Sequence, residues 1–305
     1  MRKLAIIILT SVIPLYVFGS AGINSGAVLE QMSGARGSGM GEANTASGSG
    51  VNGMEYNPGA LAEMQGMEIL MNYRNGYVED NYGGILFGMP IGENSGIGVG
   101  IKYYTTGDIS ALNTLLEEET FTGESDLIVT AGYGMKVLEG FSAGIAIKYL
   151  NTTIAGEMNL NTIAGDIGVV YEHNFIRGGI SLQNLGLRIG NNTGDEGMPL
   201  VIRGGISGRL KEINWLPLEI AVDLVNYSND EGIKVQMGGE YKAFENLAIR
   251  GGYMAGYDER TFTAGIGIKI GLLSVDYSYV NGTVLNGSNR VTINYVFGEA
   301  DSIKK

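Results

Sequence analysis

Hydrophobic and polar residues alternate along most of the chain from residue 66 onward. Near the C-terminus, Val291, Ile293 and Tyr295 occupy one set of alternate positions, and Thr292 and Asn294 lie between them. A period of two is typical of a β-strand whose two faces meet different surroundings. The pattern therefore predicts an all-β protein built from antiparallel strands.

Fourteen segments of this kind follow one another along the chain. They lie near residues 66–76, 81–91, 95–105, 121–137, 140–151, 159–172, 174–186, 198–210, 216–227, 232–243, 246–256, 260–270, 272–280 and 288–298. Each is close to the ~10 residues that a tilted strand needs to cross a bilayer. The even count is typical of a closed transmembrane β-barrel, in which no strand edge is left unpaired in lipid.

The connections between these segments alternate between short and long. Short ones fall at 93–95, 138–139, 173, 243–245 and 271, and long ones include 106–120, 187–197 and 281–287. Outer-membrane barrels have short turns at the periplasmic rim and long loops at the outer rim. A soluble β-sandwich or β-solenoid also alternates, but the simple hairpin order, the tyrosines near strand ends and the Gly, Ser, Thr and paired charges on the second face favour the barrel.

Composition narrows the possible functions. The chain of 305 residues has 50 glycines, no cysteine and a net charge of −12. The missing cysteines exclude disulfides, thiolate metal sites and a cysteine nucleophile, and the missing basic cluster argues against nucleic acid as a partner. A hydrophobic share of 44% argues against disorder.

The first 20 residues have the pattern of a secretory signal peptide. Arg2 and Lys3 precede an apolar run from Leu4 to Phe18, and small residues follow at 19–22. An N-terminal membrane helix is the alternative, but Pro14 and the short apolar run favour the signal peptide. We therefore expect an exported protein in the outer membrane of a Gram-negative-type envelope, with outer-membrane lipid around it.

No catalytic, metal or cofactor site is predicted. The GxGxxG at Gly48, Gly50 and Gly53 follows no strand and opens no long helix, so it does not meet the conditions for a phosphate loop. His173 has no nucleophile near it in the sequence, and the acidic run 117–119 lacks the alternate spacing of calcium ligands. We expect a protein that is not an enzyme.

Charged residues at lumen-facing positions are the more informative candidates. They come from five neighbouring segments and include Lys234, Glu240, Arg250, Lys269, Asp276 and Arg290. Facing lipid they would be costly, whereas in a wet or plugged interior they can pair with each other or with an inserted segment. A structural lattice of salt bridges and a role in selectivity or ligand binding both fit this set.

Several motifs resemble the PorV/PorQ family, within the broader FadL-like outer-membrane barrels. GARGSGMGEANTA from Gly34, followed by YNPGALA from Tyr56, resembles the N-terminal signature of that family. SLQNLG from Ser181, followed by Met198-Pro199, resembles a signature in the middle of the barrel. The order Pro-Gly-Ala-Leu at Pro58 departs from the usual Pro-Ala-Gly-Leu.

The resemblance implies a fourteen-stranded barrel whose N-terminal segment folds into the lumen as a hatch. We expect a hatch at residues 21–65, a barrel at 66–298 and a periplasmic tail at 299–305. The hatch residues that carry the motif are Arg36, Gly39, Met40, Gly41, Asn57, Pro58 and Gly59. A barrel of this size encloses more space than its own side chains fill, and glycines allow a compact backbone to pack against the wall.

Two functions remain open. FadL-like relatives carry hydrophobic molecules across the outer membrane, which implies transport of a small or hydrophobic solute. PorV belongs to the type IX secretion system, which implies a non-enzymatic role in a secretion complex that binds cargo. Possible partners are therefore a hydrophobic small molecule or secretion-system proteins.

Overall fold

A computed structural model describes residues 26–31, 34–76, 80–112, 118–189, 198–210, 216–283 and 286–297. The expected signal peptide at 1–20 and tail at 299–305 lie outside these residues. Within them, none of the helices is long and apolar enough to cross a membrane.

Fourteen antiparallel strands form a closed barrel, as predicted. Strands are numbered along the chain: β1 Met67–Asn75, β2 Asn81–Ile91, β3 Ser95–Thr105, β4 Asp108–Leu112, β5 Glu118–Thr122, β6 Glu124–Leu138, β7 Phe141–Ile154, β8 Met158–His173, β9 Ile176–Ile189, β10 Val201–Arg209, β11 Leu218–Tyr227, β12 Ile233–Phe244, β13 Leu247–Ala255, β14 Arg260–Ile270, β15 Leu273–Gly282 and β16 Ser288–Phe297. Each barrel strand pairs with its neighbours in order, and β16 closes the barrel on β1, with Met67 opposite Phe297.

The first long connection differs from the expectation. It contains a separate two-stranded sheet, β4 and β5, in which Asp108 pairs with Thr122. The segment predicted at 121–137 includes the end of this hairpin as well as the next barrel strand, which begins at Glu124 rather than at 121. The acidic residues of β5 interrupt the hydrophobic alternation, so the sequence pattern alone does not separate it from the loop.

The outward face of the barrel is apolar. Positions such as Val99, Ile101, Ile145 and Ile206 are 47–63% exposed, because they point away from the packed interior. Burying such a surface in lipid is the arrangement expected of a membrane-spanning barrel.

Exposed aromatic residues lie near both ends of the strands. Those near the long loops are Tyr73, Tyr103, Tyr253, Phe262 and Tyr279, and those near the short turns are Tyr171, Tyr241, Phe244 and Tyr295. Such paired belts mark the two membrane–water interfaces. We call the two ends the long-loop rim and the short-turn rim; the short-turn rim corresponds to the periplasmic side.

Residues 26–31 and 34–64 form what we call the N-terminal segment. It contains 3-10 helices at Ala27–Glu30 and Pro58–Glu63 and short α-helices α1 Ala35–Gly39 and α2 Gly50–Gly53. Asn57 begins the second 3-10 helix, since its side chain accepts a hydrogen bond from the Gly59 N–H and Pro58 fills the first helical position. Nearly all of the segment is buried.

Candidate functional site

The backbone of the N-terminal segment lies directly against inward-facing glycines of the strands. A Cβ atom on Gly238 would overlap the carbonyl oxygen of Met40, and one on Gly252 would overlap the N–H nitrogen of Gly41. Gly39 lies against Gly265 in the same way, at 3.2 Å from a Cβ atom to the facing Cα. Only glycine permits such close approach of two backbones.

Pro58 and Gly59 make similar contacts on the opposite side of the barrel. A Cβ atom on Gly134 would lie 2.8 Å from the Pro58 carbonyl oxygen, and one on Gly144 would overlap the same residue and the Gly59 nitrogen. The N-terminal segment therefore touches β6 and β7 as well as β12–β14. It bridges the interior from one wall to the other.

Arg36 belongs to a network of charged side chains in the interior near the short-turn rim. Its guanidinium lies 3.0 Å from a carboxylate oxygen of Glu240 and 3.3 Å from one of Glu219. Glu240 also bonds Arg250 at 2.7 Å, and Arg250 bonds Asp276 at 2.7 Å. Burial would lower the pKa of Arg36, but Glu240 and Glu219 more than offset it and raise the pKa. The arginine thus remains charged and tied to the wall.

Glu42 forms a second, fully buried connection. Its carboxylate lies 3.1 Å from the guanidinium of Arg290 and 3.5 Å from that of Arg260. Burial would raise the pKa of this carboxyl, but Arg260, Arg290 and Arg203 outweigh it and hold the pKa below its usual value. The backbone of Glu42 has φ = 62°, a conformation that residues other than glycine seldom adopt. The backbone is therefore strained at a residue whose side chain is held by two arginines.

Polar groups of the wall replace water for the irregular backbone. The Asp223 carboxylate accepts the N–H groups of Asn44 and Thr45 at 2.9 and 2.8 Å. Thr263 accepts from the Gly41 N–H and donates to the Gly39 carbonyl, both at 3.0 Å. A buried backbone without secondary structure needs such partners.

The side chain of Asn57 connects the segment to β8. Its amide nitrogen donates to the Val169 carbonyl at 2.9 Å, while its oxygen caps the Gly59 N–H at 3.0 Å. One side chain therefore fixes both the local turn and its position on the wall.

Two further ion pairs involve residues that the sequence interpretation did not single out. Lys102 bonds Glu55 at 2.7 Å, and Arg177 bonds Glu63 at 2.7 Å. Lys102 and Arg177, like Asp223, occupy inward positions of alternating strands, so the period of two could have identified them. Their partners Glu55 and Glu63 lie in the irregular N-terminal segment, where no hydrophobic period identifies inward positions.

The remaining predicted lumen residues are Lys234 and Lys269. Lys234 is buried toward the long-loop rim and bonds Asp230 at 2.8 Å. Lys269 is exposed at the short-turn rim, where it lines a cavity. The charges predicted from alternation therefore divide into four groups: the Arg36 network, Arg290 with Glu42, Lys234 with Asp230, and Lys269.

A small apolar cluster lies in the interior near the long-loop rim. Val28 and Leu29 of the N-terminal segment pack against Tyr82, Ile128 and Leu150. A second apolar cluster joins the N-terminal segment to β1 and β2 and consists of Val51, Met54, Leu61, Met64, Leu70 and Leu86.

The described residues contain no group of three or more His, Cys, Asp or Glu side chains placed to hold a metal ion. His173 lies exposed at the end of β8, stacked on Tyr171. The candidate site therefore consists of the contacts between the N-terminal segment and the inward face of the barrel strands.

Comparisons with known proteins identify the family and the fold. A model of the type IX secretion system protein PorV matches residues 24–196, more than half of the chain. No curated protein sequence matches.

Solved structures with a similar fold include monoaromatic hydrocarbon channels and a FadL homologue. The CymD monoaromatic hydrocarbon channel is 16% identical with a TM-score of 0.64, covering 87% of this chain and 97% of its own. The Pseudomonas putida toluene transporter TodX is 12% identical with a TM-score of 0.60, covering 92% and 98%. A Pseudomonas aeruginosa FadL homologue is 11% identical with a TM-score of 0.58, covering 88% and 99%. The chain is therefore a member of the PorV family, an outer-membrane β-barrel protein with the FadL-like fold.

Proposed function

We propose that the protein transports a small hydrophobic solute across the outer membrane, with residues 21–65 acting as a hatch inside a barrel formed by 66–298. The observation that carries the proposal is the N-terminal segment itself, which spans the interior and bonds strands on opposite sides. A route through the barrel requires this segment to move. The proposed role is non-enzymatic and uses no cofactor.

The apolar cluster supports a hydrophobic solute. Val28 and Leu29 pack against Tyr82, Ile128 and Leu150 in the interior near the long-loop rim. If these two side chains withdrew, the three wall residues would offer an apolar solute a favourable site of about 25 cal/mol for each Å² that it buries. The toluene and monoaromatic hydrocarbon channels with this fold are consistent with such a cargo.

Uptake measurements test this function. Cells with and without the gene are compared for accumulation of labelled toluene, other monoaromatics and fatty acids. We expect faster uptake of at least one of these solutes when the barrel is present. Equal uptake across the whole panel would contradict the proposal.

Secretion is the second candidate, favoured by the PorV model match. In this role the barrel would bind secreted cargo or secretion-system proteins at the outer membrane. Affinity capture of the tagged barrel from detergent-solubilised membranes should then recover such proteins. Capture of cargo together with unchanged solute uptake would favour secretion over transport.

A further inference from the structure

Two apolar clusters join the N-terminal segment to the barrel wall at different depths. The outer cluster lies near the long-loop rim and contains Val28, Leu29, Tyr82, Ile128 and Leu150. The inner cluster lies deeper in the interior, against β1 and β2, and contains Val51, Met54, Leu61, Met64, Leu70 and Leu86. Each cluster combines side chains of the segment with side chains of the wall.

A small cavity connects the two clusters. Its lining includes Leu29 of the outer cluster and Met54 and Leu86 of the inner cluster. Its volume is about 10 Å³, which is room for about one water molecule and too little for a hydrocarbon. The two clusters are therefore neighbours, and the space between them is closed in this structure.

The inner cluster in turn reaches a larger cavity at the short-turn rim. Leu70 belongs to the inner cluster and also lines this cavity, whose volume is about 340 Å³. Leu70 lies directly opposite Leu86, and Leu86 lies opposite Gly100, which lines the small cavity. Shared residues thus connect the long-loop rim with the short-turn rim. We call this series of two clusters and two cavities the apolar column.

The segment meets two glycines of the column with the ends of its side chains. A Cβ atom on Gly88 would lie 2.6 Å from the terminal methyl carbon of Met64, and one on Gly98 would lie 3.0 Å from the sulfur of Met54. On β12, by contrast, Gly238 faces the backbone of the segment. Methionine has three rotatable bonds and adapts to irregular space, so contacts of this kind give way more easily than backbone contacts do.

Two lysines beside the small cavity have acidic partners. Lys102 bonds Glu55 at 2.7 Å, and Lys148 bonds Asp166 at 2.8 Å. Neither lysine therefore presents an uncompensated charge to an apolar solute.

We propose that the solute passes along the apolar column, between the N-terminal segment and β1–β3, and that Met54 limits the width of the solute that passes. This inference rests on the proposed function and names its path and its selecting residue. Met54 lines the smaller cavity and belongs to the inner cluster, so it borders the narrower part of the column. The passing solute separates the Met54 and Met64 side chains from the wall and leaves through the cavity at the short-turn rim.

Uptake of two solutes of different width tests the role of Met54. Cells that produce the full-length barrel are given labelled toluene or the wider 1,3,5-trimethylbenzene, and uptake by cells without the gene is subtracted. Met54→Ala removes the end of the side chain from the small cavity. We expect the ratio of trimethylbenzene uptake to toluene uptake to rise about tenfold or more.

Met254→Ala is the matched control. Met254 is a fully buried methionine of β13 that lines neither cavity and belongs to neither cluster. The substitution removes the same volume, and the uptake ratio should stay at the wild-type value. Heat-modifiable migration on gels verifies that each barrel is folded. An unchanged ratio in M54A, or an equal rise in M254A, would overturn the role of Met54.

Protection of a cysteine tests the column without transport. The sequence contains no cysteine, so Leu86→Cys places a single thiol in the column. In the purified full-length barrel, we expect saturating toluene to slow the reaction of this thiol with methyl methanethiosulfonate about tenfold or more. The thiol of Glu157→Cys, at an exposed loop residue, is the control and should react at the same rate with and without toluene.

A thiol at position 86 that reacts equally fast with and without toluene, or that does not react at all, would overturn the column as the path. Uptake by wild-type cells that is no faster than uptake by cells without the gene would instead contradict the proposed function. The two failures are therefore distinguishable.

Discussion

Glu42 is the residue at which we expect a substitution to disturb the N-terminal segment most. Its carboxylate is 1% exposed and is held by Arg290 and Arg260. Removing one member of a buried ion pair typically costs about 3–5 kcal/mol, because the other charge is left without compensation. The φ of 62° adds strain that the contacts must offset.

Glu42→Gln should therefore loosen the N-terminal segment while leaving the barrel intact. In planar bilayers we expect the variant to open more often and conduct ions, whereas the wild type stays mostly closed. Glu157→Gln, at an exposed loop residue, is the control and should behave as wild type. A silent E42Q barrel would show that this ion pair does not hold the segment.

Glu30 makes the outer end of the segment sensitive to pH. Burial raises the pKa of its carboxyl from 4.5 to about 7, and the nearby Asp230 adds to the rise. The hydrogen bond from Asn229 and the charges of Arg203 and Arg260 lower the pKa but do not offset burial. A group whose pKa is raised by folding stabilises the folded arrangement fully below its unfolded value and loses that contribution as pH rises through the folded value. The attachment should be strongest below pH 4.5 and weaken toward pH 7.

Conductance measured across this range tests the effect. We expect channel openings to become more frequent between pH 4.5 and about 7 in the wild type. Glu30→Gln cannot ionise and should show little change over the same interval. The same pH dependence in the variant would assign it to another group.

At the scale of elements, the inward glycines of β12–β14 determine how closely the segment can pack. Gly252 faces Gly41, whereas its neighbour Gly251 faces lipid and has nothing within 4 Å of a Cβ atom. The two positions are adjacent on one strand, so they form a matched pair.

Gly252→Ala should displace the N-terminal segment, because the new methyl group overlaps its backbone. Gly251→Ala should have little effect, since its methyl group enters open space. We expect ion conductance from G252A barrels and closed G251A barrels in the same bilayers. If both behave alike, close packing against β13 does not keep the interior closed.

The alternation of the strands is a local property, and for this reason it could be read from the sequence. It predicted the fourteen barrel strands and the inward positions of Glu240, Arg250 and Arg290. It missed the β4–β5 hairpin, whose acidic strand breaks the pattern. The partners of the inward charges, such as Glu42 and Glu55, lie in an irregular segment that has no sequence period. Glu42 contacts Arg290, more than 200 positions away, and such a contact depends on tertiary packing rather than on local sequence.

At the scale of the whole molecule, the proposed function couples closure and transport through one segment of chain. The segment is bonded to strands around the barrel, so any open state must break some of those contacts. Absence of cysteine from the sequence allows a covalent lock to be introduced without competing thiols.

Val51 and Gly88 offer a suitable position for that lock. A Cβ atom on Gly88 would lie 3.0 Å from the Cβ atom of Val51, and disulfides need about 3.5–4.5 Å, so the two positions must move apart by about 0.5 Å. The flexible end of the Met64 side chain, 2.6 Å from the same Cβ position, must also move. The single variants V51C and G88C serve as controls for the substitutions themselves.

The most direct measurement is uptake of a labelled monoaromatic hydrocarbon into vesicles that contain the V51C/G88C barrel, before and after reduction. We expect the oxidised barrel to transport the hydrocarbon no faster than empty vesicles do. Reduction should restore the transport rate to that of the single variants. Uptake by the oxidised barrel at the full rate would contradict the claim that the N-terminal segment must move for a solute to pass.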